Sequence, residues 1–186
     1  MFSLGLRWFS CLLVVVSLMG CLLGCKDDRV SDEVWIQRGR AQLQPFKGKL
    51  MSALAEGLQD GPEGAIEVCQ HLAPAIANEM RTSAVEVGRT SHKLRNKQNV
   101  PRDWVKPLLN EYVATPGQAD PKIVHLAGGG IGYVEPIYLK SMCLACHGRS
   151  LAPAVAARID AQYPEDEARD FATGDFRGLF WVEFNN

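Results

Sequence analysis

Apolar residues recur at helical spacing through the first third of the chain. Over residues 32–59 they approximate one face, which predicts a helix, with Pro45 as the point at which it would break into two pieces. Residues 60–62 have the composition of a turn, and residues 63–80 form a second predicted helix. On this second helix Cys69 belongs to an apolar stripe and is expected to point towards the core. The other members of the stripe are Ile66, Leu72 or Ala73, and Ile76.

The chain after residue 82 alternates between extended and helical patterns. Beta-branched and aromatic residues favour the strands, and Gly and Pro punctuate them. The predicted elements are a strand over residues 83–96, a loop over 95–101, a short helix over 103–112, strands over 123–127 and 131–137 joined by three glycines, a helix over 152–162 and a strand over 176–184. In the last strand, Leu179 and Trp181 alternate with Phe180 and Val182. This order predicts an α+β domain with an antiparallel sheet.

The N-terminal segment has the pattern of an export signal. One basic residue, Arg7, precedes an uncharged run rich in Leu and Val that is shorter than the roughly 20 apolar residues needed to span a bilayer. The letters LLGC ending at Cys25 resemble a bacterial lipobox, in which lipid is attached to the Cys thiol, and LMGC ending at Cys21 is a weaker copy. We therefore predict a lipoprotein signal peptide over residues 1–24, a lipidated Cys25 and a tether over residues 25–31. A plain signal peptide and an uncleaved anchor helix are the alternatives.

These features predict a location on the periplasmic side of a bacterial membrane, where the lipid anchor holds the protein. The composition fits one domain over residues 32–186, because 47% hydrophobic and 22% charged residues in a chain of 186 allow a packed core and argue against general disorder. The 20 Lys and Arg residues are balanced by 21 Asp and Glu residues. No basic excess therefore supports nucleic-acid binding.

The cysteines argue for a use of sulfur other than a disulfide framework. Of the 6 cysteines in the chain, four remain after removal of residues 1–24, and lipidation of Cys25 would leave three. An exported protein is in surroundings that permit disulfides, yet three is an odd number. The three are Cys69, Cys143 and Cys146.

Residues 143–147 spell C-x-x-C-H, the attachment pattern of c-type haem. Two thiols three positions apart can form thioethers with the two vinyl groups of one porphyrin, and the adjacent imidazole lies under the iron. The pattern predicts one covalent haem c, attached through Cys143 and Cys146, with His147 as an axial ligand. The alternatives are a thioredoxin-like redox pair, a zinc site completed by Cys69 and His71, and a simple disulfide.

The ligand on the other side of the iron has several candidates from spacing alone. A His or a Met is the ordinary ligand at this position. A Cys in an apolar stripe is usually an inert small hydrophobe, although an unpaired Cys in an oxidising compartment is a liability. The candidates are Cys69, His71, His92, His125, Met51, Met80 and Met142.

Further short motifs extend over about residues 60–182. They include Cys69-Gln70, Val87-Gly88-Arg89-Thr90-Ser91, Lys93-Leu94-Arg95-Asn96, Asn99-Val100-Pro101, Tyr163-Pro164 and Gly174-Asp175-Phe176-Arg177-Gly178. Together with C-x-x-C-H, this set resembles a family of single-haem c-type domains with a PAS-like fold, long catalogued as a domain of unknown function. The resemblance implies a PAS-like antiparallel sheet with N-terminal and flanking helices, and His/Cys axial ligation of the haem iron by His147 and Cys69.

A thiolate ligand would place negative charge in the pocket and hold the iron at low potential, so it needs nearby donors or cations. Arg89 and Arg95 are candidates for this role or for binding the haem propionates, because Arg favours bidentate contacts with carboxylates. The alternative is that both are surface residues of a strand and a loop.

The predicted function is single-electron transfer by a membrane-tethered haem protein with an unidentified redox partner. The alternative is a haem-based redox or gas sensor that acts through a signalling partner, which rests on analogy with other PAS-like domains. A haem enzyme is less favoured, because iron with two axial protein ligands has no open position for a substrate.

Overall fold

The computed structural model describes residues 30–115, 117 and 119–186. The predicted signal peptide over residues 1–24, the predicted lipidation of Cys25 and most of the predicted tether over residues 25–31 lie outside the described residues. Among the helices of the described residues, none is long and apolar enough to cross a membrane.

The described residues contain the predicted elements in the predicted order, with one helix added. They are α1 (Asp32–Gly57), α2 (Gly61–Glu79), β1 (Val85–Thr90), α3 (Val105–Ala114), β2 (Lys122–His125), β3 (Ile131–Tyr138), α4 (Leu144–His147), α5 (Pro153–Gln162) and β4 (Phe176–Phe184). The short helix α4 falls within the C-x-x-C-H segment and was not predicted. Turns of 3-10 helix cover Leu58–Asp60, Lys97–Asn99 and Ser141–Cys143.

The four strands form one antiparallel sheet in the order β1-β4-β3-β2. The last strand of the chain therefore lies between the first and the third, and Val182 of β4 pairs with Val87 on one side and Tyr133 on the other. The prediction of an α+β domain with an antiparallel sheet is confirmed.

Each face of the sheet packs against a different helix. Alternate residues of a strand point to opposite faces, so the side chains of β4, which alternate in the sequence, divide between two apolar clusters. One cluster joins Leu179 and Trp181 to α3 residues Val105, Leu109 and Tyr112, and the other joins Val182 to Leu43 and Phe46 of α1.

Pro45 does not break the first helix, contrary to the sequence prediction. α1 continues from Asp32 to Gly57 with Pro45 inside it on the exposed side. A proline in a helix interior removes one backbone hydrogen bond. Leu43 and Phe46, on either side of it, are 0% and 1% exposed in the core. Their burial against the sheet stabilises the helix on both sides of the proline.

A close approach between α1 and β3 depends on Gly39. A Cβ atom at this buried position would lie 2.3 Å from the ring of Tyr133, which is itself fully buried. Such a distance is far inside van der Waals contact, so the ring or the helix would have to shift. Gly39 therefore fixes how closely the helix packs on the sheet.

We expect Gly39→Ala to lower the free energy of unfolding by about 1–3 kcal/mol through overpacking. Gly48→Ala is the matched control in the same helix, because a Cβ atom there meets nothing within 4 Å. The control should be neutral or should stabilise the protein by up to about 1 kcal/mol, since Ala is the better helix former. Urea unfolding followed by circular dichroism measures both, and equal effects from the two variants would contradict the packing argument.

Candidate functional site

The C-x-x-C-H segment folds as two short consecutive turns. Cys143 ends a 3-10 turn, and α4 begins at the next residue and carries Cys146 and His147. Gly148 follows at once, and its amide donates to the carbonyl of Leu144 at 2.9 Å to close the helix. The two thiols and the imidazole are thus presented by only five residues.

The two thiols lie in separate apolar clusters. Cys146 packs among residues of α2 and α5, including Ile66 and Ile159, whereas Cys143 packs beside Leu139 and Phe171. Both cysteines are free and partly buried. Burial raises the pKa of the Cys146 thiol, against an opposing effect of the Arg95 charge. Cys146 is therefore a neutral thiol in the chain alone.

His147 has one ring nitrogen committed to the backbone. Its Nδ1 lies 2.7 Å from the carbonyl oxygen of Ala168. Because a carbonyl only accepts, Nδ1 carries the hydrogen, and in the neutral ring Nε2 has a free lone pair. Burial, together with the charges of Arg95 and Arg177, lowers the pKa of His147 to about 3. The ring is therefore neutral near pH 7, in the tautomer that a metal ligand needs.

Cys69 lies beside this segment, on α2. It is free and half-buried, and its charge would raise the pKa of Cys146, so the two thiols belong to one electrostatic environment. Burial raises the pKa of Cys69 itself, while Arg89 and Arg95 oppose that rise. On the same stripe Ala73 is buried and Leu72 is 43% exposed, so Ala73 continues the apolar face that includes Cys69.

Among the other candidates for an iron ligand, His92 lies near the C-x-x-C-H segment, because its ring meets Phe171 edge-on with centroids 6.0 Å apart and Phe171 meets the His147 ring at 6.4 Å. His125 is exposed and its Nε2 lies 3.1 Å from Asp32, and His92 stacks on the ring of Phe176 with centroids 5.7 Å apart. Met80 packs against the α1 side of the sheet. The remaining candidates, His71, Met51 and Met142, are exposed.

Arg95 connects the loop after β1 to the C-x-x-C-H segment. Its guanidinium pairs with Asp166 and donates from Nη2 to the carbonyl oxygens of Cys146, at 2.7 Å, and Ala168, at 3.3 Å. Its side chain is 13% exposed, so it is not a surface residue. Arg89 lies on β1, where it is half-buried, and its charge acts on Cys69.

Arg177 is a third arginine of this region, and the sequence analysis assigned no role to it. It donates from Nη1 to Ser91 and, at 2.9 Å, to the carbonyl of Lys93, and it lies over the ring of Phe171. Burial and the charges of Arg89 and Arg95 lower the pKa of Arg177 to about 10. The sequence offered one indication that Arg177 matters, which is its place in the Gly174–Gly178 motif. Part of that motif is explained by the structural requirement for Gly178.

Gly178 brings the end of β1 close to β4. Its φ of +152° and the 2.1 Å between an added Cβ atom and the carbonyl oxygen of Thr90 both require glycine. The approach allows the Ser91 hydroxyl to donate to the carbonyl of Arg177 at 2.6 Å. The backbone at the end of β1 therefore holds the half-buried Arg177 in place.

The region carries more positive than negative charge. The charges of Arg89, Arg95 and Arg177 influence one another, and Asp166 is the carboxylate that acts on two of them. Among the described residues, Arg89 and Arg177 make no ion pair. Buried charges need partners, so the arrangement favours an anionic group near Cys69 and His147.

The other sequence interpretations of C-x-x-C can be compared with this arrangement. Cys69, Cys143 and Cys146 form no disulfide among the described residues. In the same part of the chain, no three His, Cys, Asp or Glu side chains converge as ligands for a metal ion. Two cavities flank the site, one of about 240 Å³ beside Gln70 and Tyr163 and one of about 360 Å³ beside Gly148 and Phe171.

The fold and the sequence have known relatives. A solved structure described as the cyanobacterial heme-protein Tll0287 superposes with a TM-score of 0.56 at 20% identity, and the match covers 84% of this chain and 98% of that chain. At this identity the likeness shows a shared fold. No curated protein matches the chain significantly. The model of the Tll0287-like family matches residues 28–185, and the protein therefore belongs to the Tll0287-like family.

Proposed function

We propose that this protein is an exported, lipid-anchored haem c protein that transfers single electrons. Cys143 and Cys146 would attach the haem, and His147 and Cys69 would be the axial ligands of its iron. The observation that carries the proposal is the state of His147. Its Nδ1 donates a hydrogen bond to the carbonyl oxygen of Ala168, which leaves the lone pair of Nε2 available as a ligand. The same segment carries the unpaired thiols of Cys143 and Cys146.

The donor set fits haem better than it fits a bare metal ion. A porphyrin supplies four nitrogen ligands to its iron, so the protein needs to supply at most two, and a cluster of three protein ligands is not required. Two partly buried thiols three positions apart, each packed among apolar side chains, suit attachment to one flat, apolar ring. His147 and Cys69 are then the pair available to the iron.

The excess positive charge supports the same assignment. Haem propionates and a Cys69 thiolate are anionic, and Arg89 and Arg177 are half-buried cations that make no ion pair among the described residues. Burial raises the pKa of Cys69 in spite of the opposing charges of Arg89 and Arg95, so its thiolate form would depend on coordination to the iron. A thiolate ligand stabilises oxidised iron, so we expect a low midpoint potential.

The relatives support a haem-binding role in this chain. The solved protein that shares its fold is described as a heme-protein, and the family model spans most of the chain. Beyond haem binding, we propose a PAS-like arrangement, a single covalent haem and His/Cys ligation of its iron. A bound haem would take up and release one electron at a time, while His147 and Cys69 would occupy both axial positions and leave none open for substrate.

The anchor and location are part of the same proposal. A lipid on Cys25 would hold the domain at the periplasmic side of a bacterial membrane, within reach of a redox partner.

The sensor alternative has one observation in its favour, because burial raises the pKa of Cys69 and so favours release of a neutral thiol when the iron is reduced. The experiment on Cys69 below separates the two functions.

The covalent haem is tested by the pyridine haemochrome spectrum of protein from a host that attaches c-type haem. We expect one haem per chain that acid–organic extraction does not remove, and the double variant Cys143→Ala/Cys146→Ala should lose it. Cys69→Ala is the control, because it removes a thiol from the same region and should keep the haem covalent. Colourless wild-type protein from such a host would contradict the proposal.

The axial thiolate is tested by low-temperature EPR of the ferric protein. We expect a low-spin signal with the narrow g-spread of thiolate ligation, and Cys69→Ala should abolish it. His71→Ala, two residues along the same helix and exposed, should leave the signal unchanged. The same signal in Cys69→Ala would assign another ligand. Carbon monoxide binding to the ferrous wild type would favour the sensor, and its failure to bind would favour electron transfer.

The anchor is tested by fractionation of cells that express Cys25→Ser. This variant should move from the membrane to the soluble periplasmic fraction with an unchanged haem spectrum, because the lipid is attached to that thiol. Cys21→Ser, in the weaker copy of the motif, should stay with the membrane. If Cys25→Ser also stays there, the apolar segment itself acts as the anchor.

A further inference from the structure

The carboxylate of Asp166 is buried and fully occupied by hydrogen bonds. Its side chain is 2% exposed. Oδ1 accepts from Arg95 Nε at 3.0 Å and from the amide of Ala168 at 3.0 Å. Oδ2 accepts from Arg169 Nε at 2.7 Å and from Arg95 Nη2 at 3.2 Å. A buried carboxylate needs donors for its oxygens, and here each oxygen accepts two hydrogen bonds, which hold the side chain of Asp166 in one position.

These donors lead directly to the C-x-x-C-H segment. The same Nη2 of Arg95 also donates to the carbonyl of Cys146 at 2.7 Å. Ala168, whose amide is bonded to Asp166, accepts the Nδ1 hydrogen of His147 on its carbonyl oxygen at 2.7 Å. Asp166 is thus one residue removed from both Cys146 and His147, through Arg95 on one path and Ala168 on the other.

The segment that begins at Asp166 also wraps around His147. The amide of Phe171 donates to the carbonyl of His147 at 3.1 Å, and the amide of Asp170 donates to the carbonyl of Gly148 at 3.3 Å. Asp170 has a φ of 68°, and among the described residues it is the one non-glycine residue with a positive φ. Such a conformation costs of order 1 kcal/mol or more and persists where surrounding contacts enforce it. The wrapping therefore maintains a strained backbone beside the imidazole.

We propose that Asp166 is a positioning residue that fixes the His147 imidazole with Nε2 presented to the haem iron and offsets the positive charge of Arg95 beside it. The proposal rests on the haem function proposed above and extends it to the control of ligand geometry and midpoint potential. Hydrogen bonds of this kind around a metal ligand fix its tautomer and ring orientation and tune its donor strength.

The charge of Asp166 is expected to affect the midpoint potential of the haem iron. Burial alone would raise the pKa of Asp166, but hydrogen bonds from Arg95 and Arg169 outweigh it and hold the pKa below its usual value. The carboxylate is therefore ionised near pH 7 and compensates Arg95. Without it, the uncompensated guanidinium would favour the reduced iron, which carries one positive charge fewer, and would raise the midpoint potential.

The test is Asp166→Asn, which keeps the shape of the side chain and removes its charge. Potentiometric titration of the haem-loaded protein should show a higher midpoint potential than in the wild type, and the ferric EPR g-values should move as the imidazole reorients. Asp160→Asn is the matched control, because Asp160 is 66% exposed and pairs with the other side of Arg169. The control should change neither the midpoint potential nor the g-values.

A second variant covers the case in which Asp166→Asn does not fold. Arg95→Lys keeps the positive charge and removes the two-oxygen contact with Asp166 and the bonds to Cys146 and Ala168. It should move the g-values with a smaller change in midpoint potential. If either variant loses stability while its midpoint potential and g-values match those of the Asp160→Asn control, Asp166 has a structural role alone and the proposal is wrong. Wild-type protein without covalent haem would instead refute the haem function itself.

Discussion

The C-x-x-C-H segment cannot hold its conformation on its own. α4 has four residues, and a helix of this length is far below the length at which a helix is stable in water. Its conformation depends on hydrogen bonds from distant parts of the chain, above all the bond from His147 to the carbonyl of Ala168 and the bond from Arg95 to the carbonyl of Cys146. The rest of the site follows from these bonds, because they fix where both groups point.

The same region balances burial against charge. Burial keeps His147 and Cys146 neutral, which leaves an imidazole lone pair and a thiol available. Arginines close by would be costly in such a place without a counter-charge, and Asp166 compensates Arg95 and Arg169. The charge that remains on Arg89 and Arg177 suits an anionic ligand. A thiolate or a propionate would supply the negative charge that balances these arginines beside the neutral imidazole and thiol.

The sequence predicted what depends on periodicity and on local motifs. The long helices and the alternating face of β4 repeat over enough residues to be recognised. C-x-x-C-H is recognised by its spacing, and its role in haem attachment stays a prediction. The prediction that α1 breaks at Pro45 was wrong. Leu43 and Phe46 are buried against the sheet, and this tertiary packing, which the sequence of the helix does not show, keeps the helix continuous. Helix α4 is too short to show a period. Asp166 lies in the charged stretch Glu165-Asp166-Glu167, and only tertiary contacts distinguish the buried carboxylate from its exposed neighbours.

The two proposed iron ligands come from elements that share a neighbour. α5 packs against both α2 and α4, and its Ile159, with Ile66 of α2, forms the apolar cluster that contains Cys146. The positions of Cys69 and His147 therefore depend on different interactions. Helix packing positions Cys69, and hydrogen bonds from the loop at Asp166 position His147. Helix packing of a half-buried thiol allows small displacements, whereas a network of charge-assisted hydrogen bonds resists them. If one of the two ligands is released on reduction, these supports favour release of Cys69 and retention of His147.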